Sequence, residues 1–508
     1  MITNVTQRTL GPEVKDLIQD LLHRFEQQRR DLSPLRAKRR AQLSSGDVDL
    51  LPETVHMRQK KWQVDPVPEG LLERRVELIG GATRSELITG LNAGAKSYIA
   101  DLWNFTSGDA WSIRRAHRSL ERAAKLDLAF LDPYEGRVRV NPNTTTRLMV
   151  VPRPLHALES SVMLDDEAVP AAFYDLATLA VKCGPALIER QGGLYLVLRD
   201  THGHMEARLW ARLFDAVEEK LEFPRGSIRA TVMLDSVAAA LEAEEILFEL
   251  VHHAAGLSIS PQTYAADHIA LFHGKDEPVF PDREVIGLNA PFLRALGLRT
   301  IGIAHRRGCH AIGAPSYVLP PPDPFKMKAS YLEMLADKER EAVDGYDGTI
   351  VVHMDTVNPA MVEFNKSMPR ANQLYYQRND AIEPADLIKR PEGTITTESL
   401  VGSIRTCLLA LVQRNKGEAW VVQGGRLHDR SSLRLALRIL WQWNHARAGV
   451  VTANGLDIHP DLIGFLTRKE VDKLFAQEDE RTKAQAAKAM AVMLDLVFGE
   501  AVPLEPQF

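Results

Sequence analysis

A chain of 508 residues is too long for one ordinary core and points to about two to four domains. Its 45% hydrophobic and 25% charged residues are the balance of a soluble globular protein, which excludes a fibrous or largely disordered chain. A formal net charge of −5, from 62 basic and 67 acidic residues, leaves no electrostatic footprint for nucleic acid.

The N-terminal stretch has no apolar signal core, and no apolar run reaches transmembrane length, so no membrane partner is expected. Residues 11–45 read as one charged helix, with Leu17, Ile18, Leu21, Leu22 and Phe25 forming a single apolar stripe. Its basic run Arg36, Lys38, Arg39 and Arg40 reads as a solvated helix face. Leu51-Pro52-Glu53-Thr54 then opens an irregular stretch carrying Trp62, Pro66 and Pro68.

From about residue 75, short apolar runs alternate with amphipathic helices. Strands are predicted at 75–79, 97–101, 148–151, 194–198, 230–234, 300–304 and 349–353, and helices at 205–221, 237–254 and 327–343. That alternation implies a parallel sheet with helical crossovers. The run is long enough for a closed eight-unit barrel, which takes about 250 residues. An open doubly wound sheet is the alternative, but no GxGxxG follows the first strand. After about residue 358 helices dominate, at 385–389, 399–414, 432–446 and 483–498. The expected division is 1–75, 76–358 and 359–508. Cys183, Cys309 and Cys407 form no CxxC pair, which fits a reducing compartment. The end Pro506-Gln507-Phe508 is not of the Ser-Lys-Leu type, so the cytoplasm is the expected location.

An ordered series of short phrases resembles the malate synthase family in its shorter, A-type form. It runs through Leu51-Pro52-Glu53-Thr54, Leu91-Asn92-Ala93-Gly94-Ala95-Lys96, Glu206-Ala207-Arg208-Leu209-Trp210, Pro224-Arg225-Gly226 and Pro281-Asp282-Arg283. It continues through His305-Arg306-Arg307-Gly308, Asp337-Lys338-Glu339-Arg340 and Asp347-Gly348-Thr349 to Trp441-Gln442-Trp443. The resemblance implies an N-terminal helical clasp, a (β/α)8 TIM barrel and a C-terminal helical plug over the barrel mouth. It also implies condensation of acetyl-CoA with glyoxylate followed by thioester hydrolysis. In that chemistry a base takes a proton from the acetyl methyl group, and the aldehyde is polarised by Mg²⁺ and an arginine.

Asp429, in Leu427-His428-Asp429, matches the family's catalytic base; the alternative is a helix N-cap before Ser431-Ser432. The register puts Val151 where the family has its catalytic arginine. Arg153, two residues on and so on the same side of a strand, is the candidate substitute. Asp235 falls at the family's metal-binding glutamate. Thr263 replaces its second acidic ligand, and Asp267 is the nearby carboxylate. Trp103 and Asn104 replace two acids after Asp101, and Met354 replaces a proline linked to the CoA site. His202 and His204, with Asp235, offer a site for Mn²⁺ or Zn²⁺ in place of Mg²⁺, while the alternative is isolated hydrogen-bonded imidazoles at His202, His204, His305, His353 and His428. The expected partners are small molecules: an acyl-CoA, acetyl-CoA first, and a 2-oxo acid. A β-hydroxyacyl-CoA lyase or thioesterase, and a non-catalytic binding protein on the same fold, are the rival readings.

Overall fold

The computed structural model describes residues 10–134, 136–274, 278–323, 328–446 and 449–503. The predicted helix start at Met327 and the terminal Pro506-Gln507-Phe508 lie outside them.

Eight parallel strands close into a barrel. In chain order strands 1 to 8 are Arg74–Gly80, Ser97–Asp101, Arg147–Val151, Leu194–Leu198, Ile228–Leu234, Ala254–Ile259, His310–Ser316 and Gly348–Val351. Each pairs with its neighbours in sequence, and strand 8 pairs with strand 1, so no sheet edge is left open. Side chains alternate between the lumen and the helical ring. Ile99, Met149, Val151, Tyr195, Val197, Met233, Ile312 and Ile350 form an inner core, while Leu148, Val150, Leu196 and Val232 face the outer helices.

The closing seam has a tight point at Gly348. A methyl group there would stand 1.8 Å from the backbone oxygen of Arg74, where the register also shifts. Backbone cannot move aside as a side-chain tip can. Gly348→Ala is therefore expected to destabilise the barrel by about 1–3 kcal/mol or more, read as a lowered urea midpoint. An unchanged midpoint would show that the seam is not closed in this register.

One predicted element is of the wrong kind, and another is broken and shorter than expected. The run 300–304 is not a strand but part of the helix Pro291–Arg307, bounded by Pro291 at its first turn and Gly308 at its left-handed C-cap. Thr300, Ile301 and Ile303 look strand-like because that helix is buried against the barrel. The actual strand starts just beyond, at His310. The predicted helix 237–254 is broken into Val237–Leu241 and Ala243–Glu249, and its end is the start of strand 6 at Ala254.

Before the barrel, the helix Pro12–Ser44 lies along the outside and buries Val14, Leu17, Ile18, Leu21, Phe25, Leu32 and Leu43. Its basic run is not a solvated face. Arg36 bonds Glu206 (2.7 Å), Arg39 bonds Glu242 (3.2 Å) and Arg40 bonds Asp267 (2.7 Å), so the arginines staple this helix to the barrel loops. After the barrel, the helices Thr397–Asn415, Arg430–His445, Pro460–Phe475 and Glu480–Phe498 pack on one another, and a short hairpin, Val421–Gln423 with Arg426–His428, leads into the second of them. Among the described residues no single helix is long and apolar enough to cross a membrane.

Candidate active site

In a closed barrel the lumen is packed, so a ligand can reach only the rim, where the strands end and loops begin. Five side chains gather at the C-terminal rim: Asp101 at the end of strand 2, Arg199 after strand 4, Asp235 after strand 5, and Tyr317 after strand 7, with Asp200 beside Arg199. All are nearly inaccessible. The helix Arg430–His445 covers this rim and adds Asp429, Arg430 and Arg434.

Asp429 serves as the N-cap of that helix. One carboxylate oxygen accepts from the Ser432 amide (3.0 Å) and the Ser431 hydroxyl (2.6 Å). Its other oxygen accepts from the Tyr317 hydroxyl (3.1 Å), so the carboxylate bridges plug and barrel. The two sequence readings of Asp429 are thus compatible: a cap uses one oxygen and leaves the second turned toward the rim. A cavity of about 330 Å³ adjoins this point, lined by Tyr317, Gln262, Leu427 and His428 and by Arg283 and Arg426.

The remaining rim charges form two acid–arginine pairs and one isolated acid. Arg199 Nε stands 3.2 Å from Asp101, and Arg434 Nη1 stands 3.0 Å from Asp200. Burial opposes the Asp200 charge, but Arg434 and His156 hold its carboxyl well below the usual range. The indole of Trp103 donates to Asp200 (2.7 Å), and Arg430 lies over the Trp103 ring at 3.6 Å. Asp235 accepts the Asp200 amide with one oxygen (2.7 Å), and its other oxygen has no hydrogen-bond partner. Burial, and then the adjacent Asp200, push its carboxyl up to about 8.

Arg153 and Asp267 are held elsewhere. The chain turns after Val151, and Arg153 folds away from the lumen into a buried cluster. Its Nε and Nη2 bond Asp175 (3.0 and 2.8 Å) and its Nη1 bonds Glu159 (2.8 Å). Every nitrogen of its guanidinium is used, so strand alternation did not carry past the strand end. Asp267 accepts from Arg40 (2.7 Å) and from the Val237 amide (3.0 Å), and it lines a cavity under the N-terminal helix together with His202.

The Mg²⁺ shell that the resemblance implies does not fit these donors. Mg²⁺ takes one or two carboxylates in strict octahedral geometry. Asp235 has one spare oxygen, but Thr263 and Asp267, bonded to Arg40, supply no second acid, and the other rim acids, Asp101 and Asp200, are already paired with Arg199 and Arg434. The histidines do not assemble a substitute. His204 pairs with Glu242, His305 with Asp347, His428 stands 3.4 Å from Arg283, and His353 caps its own turn. Among the described residues, one trio of metal-type side chains lies within 4.8 Å: Asp215, Glu218 and His253. It sits near the start of strand 5, away from the rim, where Glu218 takes the Gly226 and Ile228 amides and His253 meets the Ile228 carbonyl.

Tyr317, Arg199, Asp200 and Arg434 were not singled out in the sequence. Arg199-Asp200 directly follow the predicted strand 194–198, and Arg430 and Arg434 share a helix face at the i, i+4 spacing. Those signals were present but not specific without the closed barrel.

Known proteins resemble this chain over most of its length. The family model for the malate synthase TIM barrel domain matches residues 147–390. Malate synthase of Streptomyces clavuligerus is 34% identical over 467 residues, covering 90% of this chain and 86% of that protein. Malate synthase A of Escherichia coli strain K12 is 28% identical over 476 residues, covering 93% and 89%. The glyoxysomal malate synthase of Cucumis sativus is 28% identical, covering 86% and 77%. With the closed barrel, the rim acids and this coverage taken together, the chain belongs to the malate synthase family.

Proposed function

We propose that the protein joins an acyl-CoA to a 2-oxo acid, with acetyl-CoA and glyoxylate as the first pair to test, and then hydrolyses the thioester. The observation that carries this reading is the position of Asp429. It is a buried carboxylate held by Tyr317, which itself lines a cavity of about 330 Å³, in a chain of the malate synthase family.

In this reading the acyl arm enters through that cavity. Arg283 and Arg426 line the same cavity, and their positive charge complements the phosphates of coenzyme A. Asp429 takes a proton from the carbon next to the thioester carbonyl. The resulting carbanion forms a C–C bond to the carbonyl carbon of the acid, and water then cleaves the thioester to a carboxylate and free CoA thiol. The capping hydrogen bonds fix the Asp429 rotamer, so the proton-accepting oxygen needs no search. The division into clasp (1–75), barrel (76–358) and plug (359–508) belongs to the same reading, since Asp429 comes from the plug and Tyr317 from the barrel.

The test is free-thiol release from acetyl-CoA by the full-length protein, with and without glyoxylate. Release that depends on glyoxylate is the expected result. Silence with glyoxylate and with a panel of other 2-oxo acids and acyl-CoAs would leave the protein as a non-catalytic member of the family.

A further inference from the structure

The rim carries its positive charge in an unusual place. The register puts Val151 on strand 3 where an arginine is expected, and Val151 is fully buried in the lumen. Strand 4 is the neighbour of strand 3, with Val150 beside Leu196. Arg199 therefore emerges one strand over and one layer higher, on the same inward side as Val197.

The Arg199 side chain is 3% exposed, and its Nε and Nη2 have no hydrogen-bond partner, although Asp101 stands close enough for charge attraction. Buried charged donors without acceptors are costly and rarely tolerated without a function. Nε faces Asp101 Oδ2 at 3.2 Å, so the open part of this guanidinium is Nη2, whose two N–H bonds can donate to a carboxylate or carbonyl oxygen. Asp235 Oδ1 and the Thr201 hydroxyl are also without hydrogen-bond partners. The unpaired groups thus include both donors and acceptors, as expected of a cradle for a small polar acid. Asp200, which could otherwise help hold a cation, is already neutralised by Arg434.

We infer that Arg199 receives the carboxylate or carbonyl oxygen of the 2-oxo acid, and that the site binds this acid without a divalent metal. This deepens the function proposed above and rests on it for the class of ligand. Two fixed guanidinium groups do the electrostatic work here. Arg199 faces the ligand, and Arg434 cancels the acid behind it. A guanidinium keeps its charge at any working pH and needs no loading.

The test is titration calorimetry of full-length protein with glyoxylate and with pyruvate, in excess EDTA and in excess Mg²⁺. Binding in EDTA within about twofold of that in Mg²⁺ is expected. Arg199→Met should weaken it by about tenfold or more, the loss of a charge-assisted contact. Because Arg199→Met leaves Asp101 buried and unpaired, the double variant Arg199→Met/Asp101→Asn serves as the folded control. It should keep the parent Tm and still fail to bind.

Binding that vanishes in EDTA and returns with Mg²⁺, binding unaltered in the double variant, or no binding of either acid would each overturn the inference. Metal-dependent binding with thiol release that requires Asp429 would overturn it while leaving the proposed function standing. Metal-free, Arg199-dependent binding without thiol release would do the reverse.

Discussion

Asp429→Asn is expected to lower the rate of CoA thiol release by about 10²–10⁴-fold, the range for losing a positioned general base. The same change should barely alter the fold. Asparagine caps a helix about as well as aspartate, so the Ser432 amide keeps an acceptor. A shift in Tm of no more than about 2–4 °C is expected, which corresponds to about 1 kcal/mol. Thiol release and Tm measured on one preparation separate the two roles. A variant that loses stability and activity in step would show that Asp429 acts through the cap alone. A variant with unchanged rate would remove it from the chemistry.

The largest stability effect is expected at Arg153. Its guanidinium holds Asp175 and Glu159, all three nearly inaccessible, and His117 bonds Asp175 from the other side (2.9 Å). Arg153→Met leaves two buried acids with no cation between them, and breaking such a pair costs about 3–5 kcal/mol. The urea midpoint should fall accordingly. The triple change Arg153→Met/Asp175→Asn/Glu159→Gln should recover most of that loss, because it removes the stranded charges as well. If Arg153→Met instead kept its stability and lost only catalysis, Arg153 would be a rim residue in solution.

The same cluster gives a pH signature with a definite sign. Burial opposes the Asp175 charge, yet Arg153 and His117 hold its carboxyl well below the usual aspartate range. An acid depressed in the folded state binds its proton more readily when unfolded. Its stabilisation is therefore present above the unfolded value of about 3.9 and is lost as pH falls below it. Acid titration of the urea midpoint should show this loss in the parent and a reduced loss in the triple variant.

Much of the barrel was legible in the chain. The runs 97–101 and 194–198 match strands 2 and 4 residue for residue, because each is a short apolar run with a turn or helix start on either side. Periodicity failed where burial was complete. The helix Pro291–Arg307 is apolar on most sides, and a run such as 300–304 within it has the composition of a strand. The helix predicted at 237–254 ran past its true end for the same reason, and strand 6 beyond it was not predicted: the helix Ala243–Glu249 is buried too, and its glutamates Glu244 and Glu245 are hidden in contacts with Arg306, Arg307 and Arg58.

The site divided along a similar line. By itself the sequence determined the family likeness, the alternation that closes a barrel, and Asp429 as an acid at the start of a plug helix. Those features reside in local order, which the chain carries without folding. Only the tertiary structure decided where the charges meet. It sent Arg153 into a buried cluster behind strand 3 and tied Asp267 to Arg40 of the N-terminal helix. It also brought Arg199 and Arg434 to acids far from them in sequence. The physical reason is range. Hydrophobic period and capping act over a few residues, whereas the pairing of a buried charge depends on which side chains, however distant along the chain, the closed barrel leaves within about 4 Å of it.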